Sequence, residues 1–338
     1  MRKFKAIVYA FLAAAFYAVN VPFSKLLLER IGPTTMAALL YLGAGIGISL
    51  LSLINRKESR KSEKLSGNDT PFVLGMIILD IAAPILLMLG IRWGSSSSSS
   101  LLGNFEIVAT TLVALLVFKE SVSGRLWFAI SLITISSILL SFEEIDSLKF
   151  SRGSLFVLLA TVCWGFENNC TRKISSKDTY EIVMLKGFFS GLGSLVIAFI
   201  AKETLPELKY ISAALLLGFI SYGLSIFLYV RAQSTLGAAK TSAYYAVAPF
   251  IGALLSFIVL KESLSKTYLV ALIVMLMGSA LVVYDTLVRH HSHLHSHTFT
   301  HTHDGVTHTH TVAHTHEHNH LVSDENHKHH HPESLFHS

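Results

Sequence analysis

Residues 112–123 read LVALLVFKESVS, and 142 residues later 254–265 read LLSFIVLKESLS. Each is the end of a long apolar run closed by Lys-Glu-Ser-x-Ser, so one pattern is used twice in a 338-residue chain. An earlier pair also lines up. Residues 11–25 (FLAAAFYAVNVPFSK) match 158–172 (LLATVCWGFENNCTR), with Tyr17 against Trp164 and Lys25 against Arg172. Any two apolar stretches align at some offset, but a shared KES-x-S at the same place in both halves needs more than apolarity.

The runs carrying these endings have one length. Uncharged stretches cover 6–24, 34–54, 126–142, 210–230, 241–260 and 267–284, and four more with one or more charges cover 72–91, 97–118, 153–171 and 182–201. Each is close to the roughly 20 residues that a helix needs to cross about 30 Å of hydrocarbon. Spanning strands need only about 10 residues and alternate in polarity. The expected fold class is therefore an all-α integral membrane protein of ten transmembrane helices. Five helices per half is an odd number, so the second copy enters the bilayer upside down. The expected domains are two inverted five-helix repeats, 6–142 and 153–288, followed by a tail, 290–338. Inverted repeats are typical of alternating-access carriers, with the substrate near the midplane where the copies meet.

Composition agrees. The chain is 51% hydrophobic and 14% charged, with mean hydropathy +0.53, whereas a soluble domain carries roughly 25% charged residues. A removable leader is the other reading of the first run, since Arg2, Lys3 and Lys5 precede it and Ala13, Ala14 and Ala15 resemble a processing site. Its counterpart in the second half favours a permanent span. The two cysteines, Cys163 and Cys170, lie inside one apolar run and define no disulfide framework. The net charge of +5 bears on orientation rather than on nucleic acid, which is not expected as a partner. With the N-terminus inside, sixteen Lys and Arg fall in cytoplasmic segments and nine outside, the bias that sets topology. The expected location is the cell (plasma or inner) membrane, with both termini cytoplasmic and the lipid bilayer as partner.

Phe118-Lys119-Glu120 and Leu260-Lys261-Glu262, Pro249 a dozen residues before the second, and the small-aromatic stretches around Tyr17 and Trp164-Gly165 resemble the drug/metabolite transporter superfamily, EamA type. The resemblance covers residues 6 to about 288. It implies a ten-helix inverted-repeat carrier of small solutes and names no particular one. One position departs from the pattern: Glu106-Ile107 stands where the family usually shows proline.

That acid is one of three inside the runs. Asp80 and Glu106 fall near the middle of theirs, and Glu167 toward an inner end. A carboxylate at bilayer centre costs several kcal/mol, so it faces a cavity, a partner or a proton pathway. Asn20, Asp80, Glu106, Glu167 and Asn168 are the candidate substrate-pathway residues, with Asn104 and Asn169 as further neutral hydrogen-bonding groups. The alternative is structural ion pairing with Lys186, Arg92 or Arg231. Cys163, Glu167 and Cys170 share a helical face and suit a soft metal, although buried cysteine more often simply packs. Pro22, Pro84 and Pro249 mark kinks or exposed backbone; Ser95–Ser100 suggests a flexible lead into the fourth helix; Gly43, Gly45, Gly47, Gly187, Gly191 and Gly193 suggest close helix contacts. No phosphate loop, metal-hydrolase motif or nucleophile elbow argues for an enzyme.

All eighteen histidines lie in residues 290–337. Most are spaced H-x-H: His291, His293, His295 and His297; His301 and His303; His308 and His310; His314, His316, His318 and His320. Thr, Ser, Asn and Glu between them build no core, so the tail should lack structure without ligand. Imidazole suits zinc, nickel, cobalt and copper, so these twelve are candidate metal ligands in a protein that requires no cofactor. Drift of a low-complexity tail and an affinity tag are the alternatives. Three functions follow: a carrier of small organic solutes, of metabolite or amino-acid type and exporting; a divalent-metal permease whose tail captures or senses the ion; or a membrane-anchored metal buffer.

Overall fold

The computed structural model describes residues 2–54, 63–119, 122–144, 149–175, 177–236, 241, 244–303 and 306–321. It divides into two units, Met1–Val283 and Tyr284–Ser338. The first is built of helices: α1 (Arg2–Ala18), α2 (Asn20–Leu27), α3 (Pro33–Ile54), α4 (Thr70–Trp93), α5 (Ser96–Leu102), α6 (Phe105–Phe118) and α7 (Gly124–Leu140). A short antiparallel pair, β1 (Phe142–Glu144) and β2 (Lys149–Phe150), leads into α8 (Arg152–Ile174). Then come α9 (Thr179–Leu185), α10 (Gly191–Ile200), α11 (Leu208–Gly218), α12 (Ser225–Leu236), α13 (Ala248–Leu260) and α14 (Lys266–Leu287).

Among the described residues, seven segments are long and apolar enough to cross a bilayer: Phe4–Leu27, Pro33–Ile54, Gly67–Trp93, Ser96–Val117, Thr179–Ile200, Leu208–Ala232 and Lys266–Thr286. The other three apolar runs also form helices. α7 and α13 are shorter, and α8 has 23 residues but carries Glu167, Asn168, Asn169, Arg172 and Lys173. The outer surface is apolar, with Phe199 84%, Leu116 75% and Ile273 58% exposed. Contiguous patches of this kind are unusual on a soluble monomer and mark a lipid-facing surface.

Helices end for local reasons. Ser95, Ser123 and Ser151 accept backbone N–H groups at the starts of α5, α7 and α8, the usual cap chemistry. Pro22 removes the bond to the carbonyl of Ala18, and the chain breaks there between α1 and α2. Pro84, by contrast, sits inside an unbroken α4. The serine run is not flexible. Ser96–Leu102 is a helix with Ser96, Ser97, Ser99 and Ser100 buried, because Glu262 accepts the N–H groups of Ser96 (2.7 Å) and Ser97 (2.9 Å) and Ser96 Oγ meets Ser256 Oγ at 2.8 Å. The matching Glu120 of the first KES lies outside the described residues. Near the connection of residues 63–66, the Glu63 carboxylate accepts a hydrogen bond from Lys177 and holds that ammonium above its ordinary lysine pKa.

α4 packs along α8, α1 along α12, α6 on α8, α5 on α13, and α3 lies against α10 and α11. Small residues set the last contact. A Cβ on Gly187 would lie 2.4 Å from the backbone of Gly45, and one on Gly43 would lie 2.1 Å from the carbonyl oxygen of Leu215.

The second unit departs from the absence of structure that its polar composition suggests. β3 (Val288–His303) pairs antiparallel with β4 (Val306–Leu321). The same H-x-H spacing that spoke for metal binding is also a two-residue period, filled largely with β-branched threonine, and the intervening Asp304-Gly305 is a hairpin sequence. Residues 304–305 and 322–338 of the tail lie outside the described residues.

Gly187→Ala should destabilise the membrane unit. A methyl group forced against the Gly45 backbone is overpacking, which costs about 1–3 kcal/mol, and should lower the thermal midpoint of the detergent-purified protein. An unchanged midpoint would mean that α3 and the chain at Gly187 are not in contact as described.

Candidate functional site

Between α9 and α10, residues Lys186–Ser190 form a π-helical segment, a one-residue widening frequent at functional sites. It delivers Lys186 into the interior. The ammonium lies 2.5 Å from Glu167 Oε1 on α8 and 3.2 Å from Asp80 Oδ2 on α4. Asp80, Glu167 and Lys186 are 1%, 3% and 6% exposed. Tyr41 on α3 donates its hydroxyl to Asp80 Oδ1 at 2.8 Å, and Thr171 donates to Glu167 Oε1. Two carboxylates thus share one cation, each with a hydroxyl besides.

Glu106 is held differently. It occupies the first turn of α6, just past the break at Gly103 and Asn104, where the N-terminal amides and the helix dipole favour an anion. Asn168, next to Glu167 on α8, donates to Glu106 Oε1 at 2.6 Å and reaches Thr110 Oγ1 at 3.4 Å. No cation contacts Glu106 among the described residues. An acid is accommodated in this position because the helix start and an amide replace a counter-ion.

Asn20 opens α2 after the Pro22 break and is fully buried. It accepts from Ser24 Oγ at 3.0 Å and donates to the Tyr222 hydroxyl at 3.4 Å. Tyr222 sits on a second π-helical segment, Phe219–Leu224. Its ring lies 5.0 Å from Tyr41 and 6.0 Å from Tyr17, and Tyr17 in turn lies 5.9 Å from Tyr245. Hydrogen bonds thus join Ser24, Asn20 and Tyr222. Tyr41, Asp80, Lys186 and Glu167 form a second group beside them, across the 5.0 Å contact of the Tyr41 and Tyr222 rings. Asn168 with Glu106 forms a third.

The five residues named from sequence fall into three groups: Asn20 with Tyr222, Asp80 and Glu167 about Lys186, and Glu106 with Asn168. Lys186, offered there only as a possible partner, joins two of the acids, whereas Arg92 and Arg231 do not. The tyrosines were missed, apart from Tyr17 as a point of family likeness. They sit in apolar runs where an aromatic is unremarkable, and a π-helical segment has no sequence signature. Asn169 donates to the Gly165 carbonyl at 2.8 Å and to the Thr110 carbonyl at 3.4 Å, while the Asn104 amide nitrogen is buried at the α5–α6 break with no hydrogen-bond partner among the described residues. Cys163 and Cys170 pack against apolar neighbours, and among the described residues of the membrane unit no three of His, Cys, Asp and Glu stand close enough to hold a metal.

A polar centre of this kind, buried inside a lipid-facing helical shell, is met by a sequence match over nearly the whole shell. The model of the EamA-like transporter family matches residues 4–142 and again 151–284. The chain belongs to that family. It is thus a multi-pass membrane transporter. An uncharacterized transporter of Methanothermobacter thermautotrophicus (strain Delta H) is 24% identical over 303 residues, 84% of this chain and 88% of that protein. The uncharacterized transporter YyaM of Bacillus subtilis (strain 168) is 22% identical over 236 residues, 67% and 77% of the two chains. One solved structure superposes with a TM-score of 0.63 at 14% identity, over 83% of this chain and 96% of that one, a likeness of fold.

Lys186→Met leaves two carboxylates buried without their cation. Breaking a buried pair by removing one partner costs about 3–5 kcal/mol, so the variant should melt well below the parent in detergent. Adding Asp80→Asn and Glu167→Gln should restore most of the loss. If the single variant is as stable as the parent, the three groups are not an ion-paired cluster.

Proposed function

We propose that this EamA-family protein is an alternating-access exporter of small organic solutes bearing both charges, of amino-acid type, in the cell membrane. The observation that carries this reading is the shared ammonium of Lys186. A zwitterion matches it: the solute's ammonium replaces Lys186 on one carboxylate while its carboxylate takes Lys186. A zwitterion leaves the net charge of the site unchanged as it enters and leaves, whereas a lone anion or a lone cation changes it. Glu106, with a neutral partner only, gives the solute's ammonium a second acceptor, and the unpartnered amide of Asn104 gives its carboxylate a donor. Divalent metal as cargo has less support, because the Lys186 ammonium already stands between Asp80 and Glu167 and would repel a second cation there.

The reading includes ten spans in two inverted five-helix copies with both termini cytoplasmic. Several features support it. An offset of 142 relates Lys119 to Lys261, both left-handed helix ends with φ of 55° and 54°. The same offset relates Gly45 to Gly187, which face one another as equivalent residues do on a two-fold axis. Exchanging the copies turns the α4–α8 contact into the α1–α12 contact and leaves α3–α10 unchanged.

In sealed vesicles holding the purified protein, flux of amino-acid-type zwitterions should exceed that of divalent metals. Glu106→Gln keeps size and hydrogen bonding but removes the charge. Losing a charge-assisted contact worth roughly 1.5–3 kcal/mol should slow flux at low substrate by about tenfold or more. Metal flux alone, or Glu106→Gln transport equal to the parent at normal protein level, would overturn the proposal. Labelling of single cysteines placed near residues 2 and 289 tests the topology: both should react from the cytoplasmic side only.

A further inference from the structure

The hairpin of the second unit places its histidines in a pattern that goes beyond the transport reading. Successive residues of a strand alternate between faces, so the odd-numbered positions of β3 share one face. His291, His293 and His295 are three in a row on it. The register sets His291 opposite His318, His293 opposite His316 and His295 opposite His314. Residues directly opposite each other share a face, so six imidazole-bearing positions form a block three pairs long. The other histidines at H-x-H spacing follow the same parity, with His301 opposite His308 near the turn, while the second face carries mostly Thr and Ser. A register one residue away would put the two strands' histidines on opposite faces.

The spacings suit a metal. Opposed residues have Cβ atoms about 4.5–5.5 Å apart, and same-face neighbours along a strand repeat at about 6.6–6.8 Å. Imidazoles at both spacings can converge on one ion with metal–nitrogen bonds of about 2.0–2.1 Å. An isolated two-stranded hairpin is marginal in water, so a ligand bridging the strands would contribute to its folding. We propose that the cross-strand pairs His291/His318, His293/His316 and His295/His314 form a binding site for a borderline divalent cation of the zinc, nickel, cobalt or copper class, and that the bound ion holds the two strands together.

The test uses a change that leaves composition intact. Thr315→His with His316→Thr, and Glu317→His with His318→Glu, move two imidazoles to the other face without altering the histidine count. The full-length protein in detergent is titrated with zinc chloride against a chromogenic chelator at about pH 7.5, where imidazole, with its ordinary pKa of about 6.5, is neutral. The parent should bind zinc and protect the tail from protease. The swapped protein should bind more weakly by at least tenfold, the low end of the roughly 10–100-fold that losing even an outer-shell partner costs, and lose the protection. Replacing His329, His330 and His331 by alanine should leave the tightest site unchanged. Equal affinity in parent and swapped protein would show that composition alone binds the metal, and no zinc binding by the parent would remove the site. Neither result bears on solute flux, so this proposal and the transport reading fail separately.

Discussion

A charge inside hydrocarbon must find its counter-charge within the protein, since no water is there to solvate it. Lys186 between Asp80 and Glu167 is how this chain meets that constraint, and much of the surrounding packing follows from it. The three groups come from separate elements, so α4, α8 and the π-helical segment have to converge at one depth. Gly187 follows Lys186 directly, and its contact with Gly45 seats the segment on α3. That seating also brings Tyr41 of α3 to Asp80. Bulk at Gly187 would therefore act on the ion cluster as well as on helix packing.

The backbone faces the same constraint where helices are interrupted, and at two places the chain meets it with charge of the right sign. Lys25 gives its ammonium to the carbonyls of Ile91 (2.6 Å) and Gly94 (2.7 Å) where α4 ends, and Glu262 takes the first amides of α5. One connection is thus clamped by a cation on its carbonyl end and an anion on its amide end, each matched to the local helix dipole. Glu203 does the same for α3, accepting the N–H groups of Thr34 and Thr35 at 3.1 and 2.8 Å. The glutamate of the second KES is therefore a helix cap supplied from the other half of the chain, which is a physical reason for such a motif to recur.

This division explains what could be read from residues alone. The apolar runs and the KES-x-S repeat were legible because membrane spans are coded by length and composition, both local properties. The acids were legible as anomalies, since Asp80, Glu106 and Glu167 interrupt runs that otherwise exclude charge. Their partners were not. Nothing local marks Lys186 rather than Arg92 as the counter-ion, because the choice depends on which helices converge. Tyr41 and Tyr222 acquire meaning only through hydrogen bonds to residues 39 and 202 positions away. The serine run was misread for the same reason: its order comes from Glu262, 166 residues distant. In the tail a low-complexity composition and a period of two are both visible, and the second is the one the β3–β4 pairing uses.

Under the two-copy reading, the centre is built from one junction used twice and modified once. The early alignment relates Asn20 to Glu167, and the offset of 142 relates Tyr222 to Asp80. The contact of Asn20 with Tyr222 is then the neutral counterpart of the pair Glu167 and Asp80, into which Lys186 has been inserted. Ala44 occupies the position equivalent to Lys186, so the cation exists on one side only. An even-handed pair of charged junctions would place two ammonium groups and four carboxylates at one depth, each needing full compensation in a low dielectric. A neutral junction opposite a charged one avoids that, and it orients what binds between them. On the proposed transport reading, a zwitterion would have its ionic contacts on the Lys186 side, while the Asn20 and tyrosine side would offer hydrogen bonds and ring faces to whatever the solute carries besides its two charges.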